Sequence, residues 1–331
     1  MPNPRAELQE HPFLKGSEEL YPTELSKKDV TIVLPVINEE EGIAAVIDEL
    51  LDYAFPKILT VDGYSTDLTA EAARTRGATV IQQHGRGKTG AVRTAIERVT
   101  TPYLLVMDGD YTYDARDIQK LLDHAKGYDQ IIGTRSKENI SRIHRLGNRM
   151  ISAIFNVLFG TSISDVCSGM YLLNSRAARQ LTFRTKGFSV EVEILAQMAM
   201  NGQVTEVPVN YRKRIGEPKL STIIHGWDIL GAMFDLARIY NPLSLFSTLA
   251  ASAAIPGLAI LSWVAFSWLQ SRVFYSGWAL AGGMLMLLAS EAFVVGTISL
   301  LMKRSELRIE RLIRNQNTES PDRQIIERPA Q

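Results

Sequence analysis

A single cysteine, Cys167, in 331 residues excludes an intramolecular disulfide and suits a reducing compartment. As a lone thiol it reads as a small packing residue. The five histidines show no His-x-x-x-His spacing or related pattern, so no zinc site is expected. Met1 to Asp29 is polar, contains prolines and lacks an apolar stretch, which argues against a signal peptide and keeps the large N-terminal domain in the cytosol. No internal repeat is present. Lysine plus arginine and aspartate plus glutamate balance at 36 each, so the formal net charge is zero, and no nucleic-acid partner is expected.

The balance conceals where charge is missing. From Pro242 to Leu269 no side chain is charged, and from Gly277 to Met302 only Glu291 is. Each run exceeds the roughly 20 residues needed to cross a bilayer. The gap from Gln270 to Ser276 is short, which predicts a transmembrane hairpin with both chain ends on one side of the lipid bilayer. Lys303, Arg304, Arg308, Arg311 and Arg314 follow the second run, and the positive-inside bias puts them in the cytoplasm with the large domain. An ionisable residue inside a span is expensive. Glu291 is therefore expected to be protonated or partnered, which leaves room for a homo-oligomer through the transmembrane helices. The length fits one substantial α/β domain plus this appendage.

Val30 to Val36 is a continuous β-branched run that reads as a strand buried on both faces. A helix follows at once, with Asn38 as N-cap, acids in its first turn, and Ile43, Val46, Ile47, Leu50 and Leu51 at helical spacing. Lys57 to Val61 is a second strand ending at Asp62. Leu68 to Arg76 is a helix stopped by Gly77, Ala78 to Gln82 a third strand, Thr89 to Val99 a helix, and Tyr103 to Met107 a strand ending at Asp108. Further elements are expected at Asp129 to Gly133 (strand), Arg145 to Phe159 (helix), Tyr171 to Leu173 (strand), Val190 to Met200 (helix) and Val204 to Tyr211 (strand). This alternation predicts an α/β fold with a Rossmann-like, mostly parallel sheet covered by helices on both faces. Ser221 to Tyr240, with Ile223, Ile224, Trp227, Met233, Phe234 and Leu236, is either an interfacial amphipathic helix or a helix closing the soluble core. The expected organisation is a polar extension over 1–29, a globular domain over 30–221, a juxtamembrane segment over 222–241, transmembrane helices over about 242–269 and 277–302, and a basic, then disordered, cytosolic tail over 303–331.

Asp108-Gly109-Asp110 places two carboxylates where a buried strand ends. Ligands of open α/β sheets bind outside the carboxyl ends of the strands, and hard divalent cations take carboxylate oxygens there while keeping positions for substrate phosphates. Asp62 stands at another such end. Its carboxylate could accept from a base or ribose, or simply close an Asp/Ser turn capped at Thr66 or Asp67. His84-Gly85-Arg86-Gly87-Lys88-Thr89-Gly90 supplies glycines, cations and a helix N-terminus, which suits phosphate, although the spacing is not that of a Walker A loop.

Taken in order, Pro35-Val36-Ile37-Asn38-Glu39, Asp62 to Asp67, Gly85 to Gly90, Asp108-Gly109-Asp110 and Gly133-Thr134-Arg135 resemble the family-2 glycosyltransferases with a GT-A fold. Asp165 to Met170, then Arg214 to Ser221, look like the subgroup of dolichyl-phosphate mannose synthases and polyprenyl-phosphate glucosyltransferases. The likeness covers about Val30 to Ser221. It implies that Pro35, Asn38, Glu39 and Asp62 line a nucleotide pocket, with Lys88, Asp108 and Gly109 near the donor, and that Asp108 and Asp110 hold Mg²⁺ or Mn²⁺. Members often place glutamine two residues beyond the second acid as a further metal ligand; here Thr112 stands there. Asp110, Arg135, Arg145, Arg214 and Lys219 match catalytic positions, Arg145 being equally readable as a solvated surface charge. Asp165, Ser168 and Gly169 match the acceptor-side loop. Arg214, Lys219 and Ser221 match an element that closes over the donor, with Ser221 towards the acceptor side. Glu191 and Glu193 resemble acids of this region, or are a negatively charged helix start.

The resemblance implies inverting transfer of one sugar from a nucleotide sugar, GDP-mannose or UDP-glucose, to polyprenyl or dolichyl phosphate. A processive polymer synthase is disfavoured because the Gln-x-x-Arg-Trp signature is absent. Transfer to a lipid hydroxyl, or a catalytically silent nucleotide-sugar-binding adaptor, are the alternatives.

Overall fold

The computed structural model describes residues 25–136, 142–184, 190–216 and 222–318. Two compact units divide the chain, one of Met1–Ile154 with Thr161–Met233 and one of Phe155–Gly160 with Phe234–Gln331.

The first unit is built on β1 (Val30–Val36), α1 (Glu40–Asp52), β2 (Ile58–Asp62), α2 (Thr69–Thr75), β3 (Thr79–Gln82), α3 (Gly87–Arg98), β4 (Tyr103–Val106), α4 (Ile118–Asp123), β5 (Gln130–Arg135), α5 (Arg142–Phe159), β6 (Tyr171–Asn174), α6 (Ser175–Ala178), α7 (Val190–Asn201), β7 (Val204–Val209) and the start of α8 (Thr222–Tyr240). The strands form one seven-stranded sheet in the order β3-β2-β1-β4-β6-β5-β7. β1 pairs in parallel with β2 and β4, β2 with β3, and β5 with β7, whereas β6 runs antiparallel to both β4 and β5. The predicted mostly parallel sheet is observed, with one strand reversed. That reversal matters because it brings the amino end of β6, preceded by Ser168 and Gly169, to the same edge as the carboxyl ends of its neighbours.

The β-branched and leucine-rich runs are buried as their composition requires. Ile32, Leu34 and Val36 face one layer with Ile43, Ile47 and Leu50 of α1. Val33, Leu104 and Val106 face the other with Val92, Ala95 and Ile96 of α3 and Val190 and Ile194 of α7. Helices therefore cover both sheet faces, and burial of each large aliphatic side chain contributes about 1.5–3 kcal/mol. One expectation fails locally. Asn38 does not cap α1: Glu39 is the N-cap residue, without a side-chain cap bond, and Asn38 sits at φ +52°. Its side-chain oxygen accepts instead from the Thr66 amide at 2.8 Å, so the asparagine ties the β1 end to the β2 end. The short helices α4 and α6 were not expected from the sequence pattern.

In the second unit, α9 (Pro242–Ser271) and α10 (Ser276–Thr318) are joined by a four-residue turn that leaves α9 at Arg272, φ +57°. Pro242–Ser271 and Ser276–Met302 are each long and apolar enough to cross a membrane. Their surfaces bear Ile255, Leu258, Phe266, Leu280, Leu287 and Phe293 largely exposed, an arrangement suited to hydrocarbon rather than water. The two helices approach closely where Gly257 meets Gly282: a Cβ on Gly282 would lie 2.9 Å from Leu261. Trp263 stacks on Tyr275 at 5.1 Å, giving the turn end an aromatic cluster of the kind found at bilayer interfaces. α10 continues unbroken through Asn315 to Thr318, where composition suggested an unstructured tail. In α8, Met233, Leu236 and Ala237 are buried and Phe234 is exposed; the side chains of Ile223, Ile224 and Trp227 lie outside the description.

Candidate active site

The parallel strands deliver their acids to one rim. Asp62 ends β2 with its carboxylate accepting from the Ser65 amide, so the expected turn is present, but the N-cap of α2 is Leu68 rather than Thr66 or Asp67, with Asp67 accepting from the Thr69 amide. Asn38 and Glu39 follow β1, the strand next to β2, and half-exposed Pro35 lies in β1 beside Val61. Asp108, Gly109 and Asp110 follow β4, with Gly109 buried between the acids against Val36.

The chain after β7 runs beside that acidic loop. Tyr211 bridges Tyr113, the Arg212 amide donates to the Thr112 carbonyl at 2.7 Å, and the Ile215 amide donates to the Asp110 carbonyl at 3.1 Å. This pairing carries Arg214 to the acids: one guanidinium nitrogen lies 2.5 Å from Glu39 and another 3.4 Å from Asp110. Its Nε is buried with no hydrogen-bond partner among the described residues. Asp110 also accepts from the Thr112 hydroxyl at 2.6 Å, so Thr112 orients the acid.

Asp108 is held from the other side. Lys88, in the first turn of α3, lies 2.5 Å from Asp108 and 2.6 Å from Glu191 in the first turn of α7. Burial by itself disfavours the ammonium, but the two carboxylates outweigh it and hold the Lys88 pKa well above its ordinary value. For Asp110 burial is the leading cause of an upward shift, reinforced by the like charge of Asp108 and opposed by Thr112 and Arg214. Behind the lysine, the Tyr171 hydroxyl is buried without a hydrogen-bond partner among the described residues.

A third cluster lies at the β5 end. Arg135 grips Asp165 through two parallel bonds, both 2.7 Å, and its guanidinium lies 5.5 Å from the Tyr211 ring. Asn148 of α5 donates to the same carboxylate at 3.0 Å. Ser168 donates to the Gly133 carbonyl, and the Gly169 amide donates to the Tyr113 hydroxyl. Cys167 packs nearby; burial pushes its thiol up to about 12, so it is an inert neighbour at neutral pH.

Most of the sequence-predicted residues therefore converge: Asn38, Glu39, Asp62, Lys88, Asp108, Asp110 and Arg214 on one rim, and Arg135, Asp165, Ser168 and Gly169 beside it. Arg145 stands exposed on α5, one turn before Asn148. Lys219 and Ser221 lie outside the described residues. Of the two acids left open, Glu191 meets Lys88, whereas Glu193 accepts from the Arg184 amide. The sequence signal for Glu191 was a carboxylate in the acidic first turn it shares with Glu193, and only its fold partner distinguishes the two.

Among the described residues, no group of three or more His, Cys, Asp or Glu side chains makes a ready cation cage. In chemistry and charge, Asp108 and Asp110 nevertheless fit Mg²⁺ or Mn²⁺. The ion pairs join four carboxylates (Glu39, Asp108, Asp110, Glu191) to two cations (Lys88, Arg214), leaving two negative charges, the complement of one divalent ion. Two protein carboxylates plus substrate phosphates is the usual provision for such an ion.

Residues 31–182 match the profile of "Glycosyl transferase family 2". Glycosyltransferase AglJ of Haloferax volcanii is 33% identical over 296 residues, 86% of this chain and 98% of that protein. The Dolichyl-phosphate hexose transferase of the same organism is 33% identical over 212 residues, 62% of this chain and 92% of that protein. Among solved structures, glucosyl-3-phosphoglycerate synthase from Mycobacterium tuberculosis, in complex with Mn²⁺, uridine-diphosphate-glucose and phosphoglyceric acid, superposes with a TM-score of 0.54 at 19% identity, covering 63% of this chain and 79% of that one. The expected GT-A fold is thus the fold observed, and the chain belongs to glycosyl transferase family 2.

Proposed function

We propose that this glycosyltransferase moves a single sugar, with inversion, from GDP-mannose or UDP-glucose to polyprenyl or dolichyl phosphate. Its large domain and both chain ends face the cytoplasm, and α9 and α10 anchor it in the bilayer. The reading is supported by the name of the dolichyl-phosphate hexose transferase relative and by the two apolar helices in the same chain. The observation that carries it is that the rim acids other than Asp62 are already engaged by cations. Asp108 and Glu191 hold Lys88, Glu39 and Asp110 hold Arg214, and Asp165 holds Arg135.

A carboxylate tied to a cation is a poor proton acceptor, whereas a phosphate monoester with a second pKa of about 6 arrives already ionised and needs no strong base. An anionic acceptor therefore suits this rim better than a lipid hydroxyl. In the proposed complex Asn38, Glu39 and Asp62 flank the nucleoside. The Nε of Arg214, without a partner among the described residues, becomes a donor to the diphosphate, and Lys219 joins it. Arg135, its Nε and Nη2 committed to Asp165, offers Nη1 to the acceptor phosphate beside Ser168, Gly169 and Ser221, with Arg145 at the outer margin. Asp108 and Asp110 hold the divalent ion, which supplies Lewis-acid compensation for charge on the leaving diphosphate. The attacking phosphate oxygen forms the new bond on the face opposite the departing one, so the anomeric configuration inverts.

The test is incubation of the purified full chain with a panel of nucleotide sugars and either polyprenyl phosphate or diacylglycerol, followed by mass spectrometry of extracted lipid. One hexose added to polyprenyl phosphate supports the reading. Addition to diacylglycerol alone, or nucleotide binding with no transfer from any donor, overturns it.

A further inference from the structure

Lys88 occupies an unfavourable place for a cation. It lies in the first turn of α3, where the helix dipole repels positive charge, and it is mostly buried. Two carboxylates from different elements keep it there: Asp108 after β4 at 2.5 Å and Glu191 of α7 at 2.6 Å. Glu191 is itself 7% exposed, between fully buried Val190 and Val192. Across the rim the same plan recurs. Arg214 is shared between Asp110 and a second acid, Glu39, which lies nearer to it. Each acid of the Asp108–Asp110 pair thus faces a basic side chain that has another carboxylate to hold it.

We propose that Glu191 is a positioning residue that retains Lys88 when Asp108 takes up a divalent cation. This rests on the reading of Asp108 and Asp110 as the cation-holding pair. Without the second carboxylate, Lys88 spends its full charge on Asp108 and competes directly with the incoming ion. With it, Lys88 remains neutralised by Glu191 while Asp108 turns an oxygen to the metal. Glu191 acts through Lys88 and touches neither sugar nor acceptor. Its oxygen is committed to the ammonium, which separates this role from that of a proton acceptor.

The experiment is titration of the purified full chain with Mn²⁺ alone and with Mn²⁺ plus UDP or GDP, followed by electron paramagnetic resonance of free Mn²⁺. Glu191→Gln should weaken Mn²⁺ binding by about tenfold, the scale of losses on removing an outer partner of a metal ligand. Adding Glu191→Gln to Lys88→Met should weaken Mn²⁺ binding much less than Glu191→Gln alone does, because only the direct charge of the glutamate, and no lysine to retain, is then lost. Wild-type affinity in Glu191→Gln, or losses that simply add in the double variant, overturns the proposal. Should Glu191→Gln fail to fold, the comparison of Lys88→Met with the double variant decides: affinities within about threefold support it, and a loss of the full tenfold scale of an outer partner overturns it. Absence of Mn²⁺ binding in the wild-type protein, with and without nucleotide, would overturn the reading of the acid pair itself. That outcome is distinct from a normal wild type with an unaffected Glu191→Gln.

Discussion

The Asp108 carboxylate lies where a side chain on Gly169 would have to go. The acid is wedged between Lys88 and the backbone that precedes β6, and the missing Cβ at Gly169 leaves room for its carboxylate. Gly169→Ala is therefore expected to push Asp108 aside. A displacement of about 1 Å at a positioned group can lower turnover roughly 100-fold, while overpacking costs about 1–3 kcal/mol of stability. Turnover of the alanine variant at saturating substrates measures the effect; activity within threefold of wild type would show that Asp108 tolerates the shift.

Arg135 and Asp165 form a bidentate pair in which the acid is almost wholly buried. Arg135→Met strands that charge, and breaking one side of such a pair costs about 3–5 kcal/mol. Arg135→Met/Asp165→Leu should recover most of the loss in thermal unfolding of detergent-solubilised protein, yet remain inactive. A double variant no more stable than the single one would mean that the arginine contributes packing rather than charge neutralisation.

Asp114 supplies a pH signature away from the reacting groups. Burial alone would raise its carboxyl, but hydrogen bonds from Arg116 and then Arg212 outweigh that and hold it well below the usual carboxylate range. A depressed folded-state pKa gives stability that is present above the unfolded value of about 3.9 and is lost as pH falls through the folded one. Asp114→Asn should lower the unfolding temperature at pH 7, and the gap from wild type should narrow below about pH 4. A gap independent of pH between 7 and 3 would contradict the sign.

The strands and their acidic ends were legible because short, continuous apolar runs mark strands buried on both faces, and Asp108 and Asp62 close them directly. The reversal of β6 was not. Tyr171 to Leu173 is an apolar run whose composition is the same read in either direction, and its antiparallel register with β4 and β5 is decided by tertiary pairing. Asn38 looked like a cap because it precedes Glu39 to Glu41. Its left-handed backbone and bond to Thr66 depend on the β2 turn, which no local window contains. The pairing of Lys88 with Glu191 was hidden for the same reason: α3 and α7 pack against one sheet face, and sequence separation gives no hint of it.

The central claim is that Asp108 and Asp110 hold a divalent ion against the leaving diphosphate during transfer to a lipid phosphate. The most direct measurement is formation of sugar-phosphate lipid from nucleotide sugar and polyprenyl phosphate with Mg²⁺ or Mn²⁺, with EDTA, and with Asp110→Asn. The expected result is product with either metal, none with EDTA, and a loss of at least about 100-fold in the variant, in keeping with several kcal/mol of charge stabilisation. Undiminished product in EDTA, or from Asp110→Asn, would contradict it.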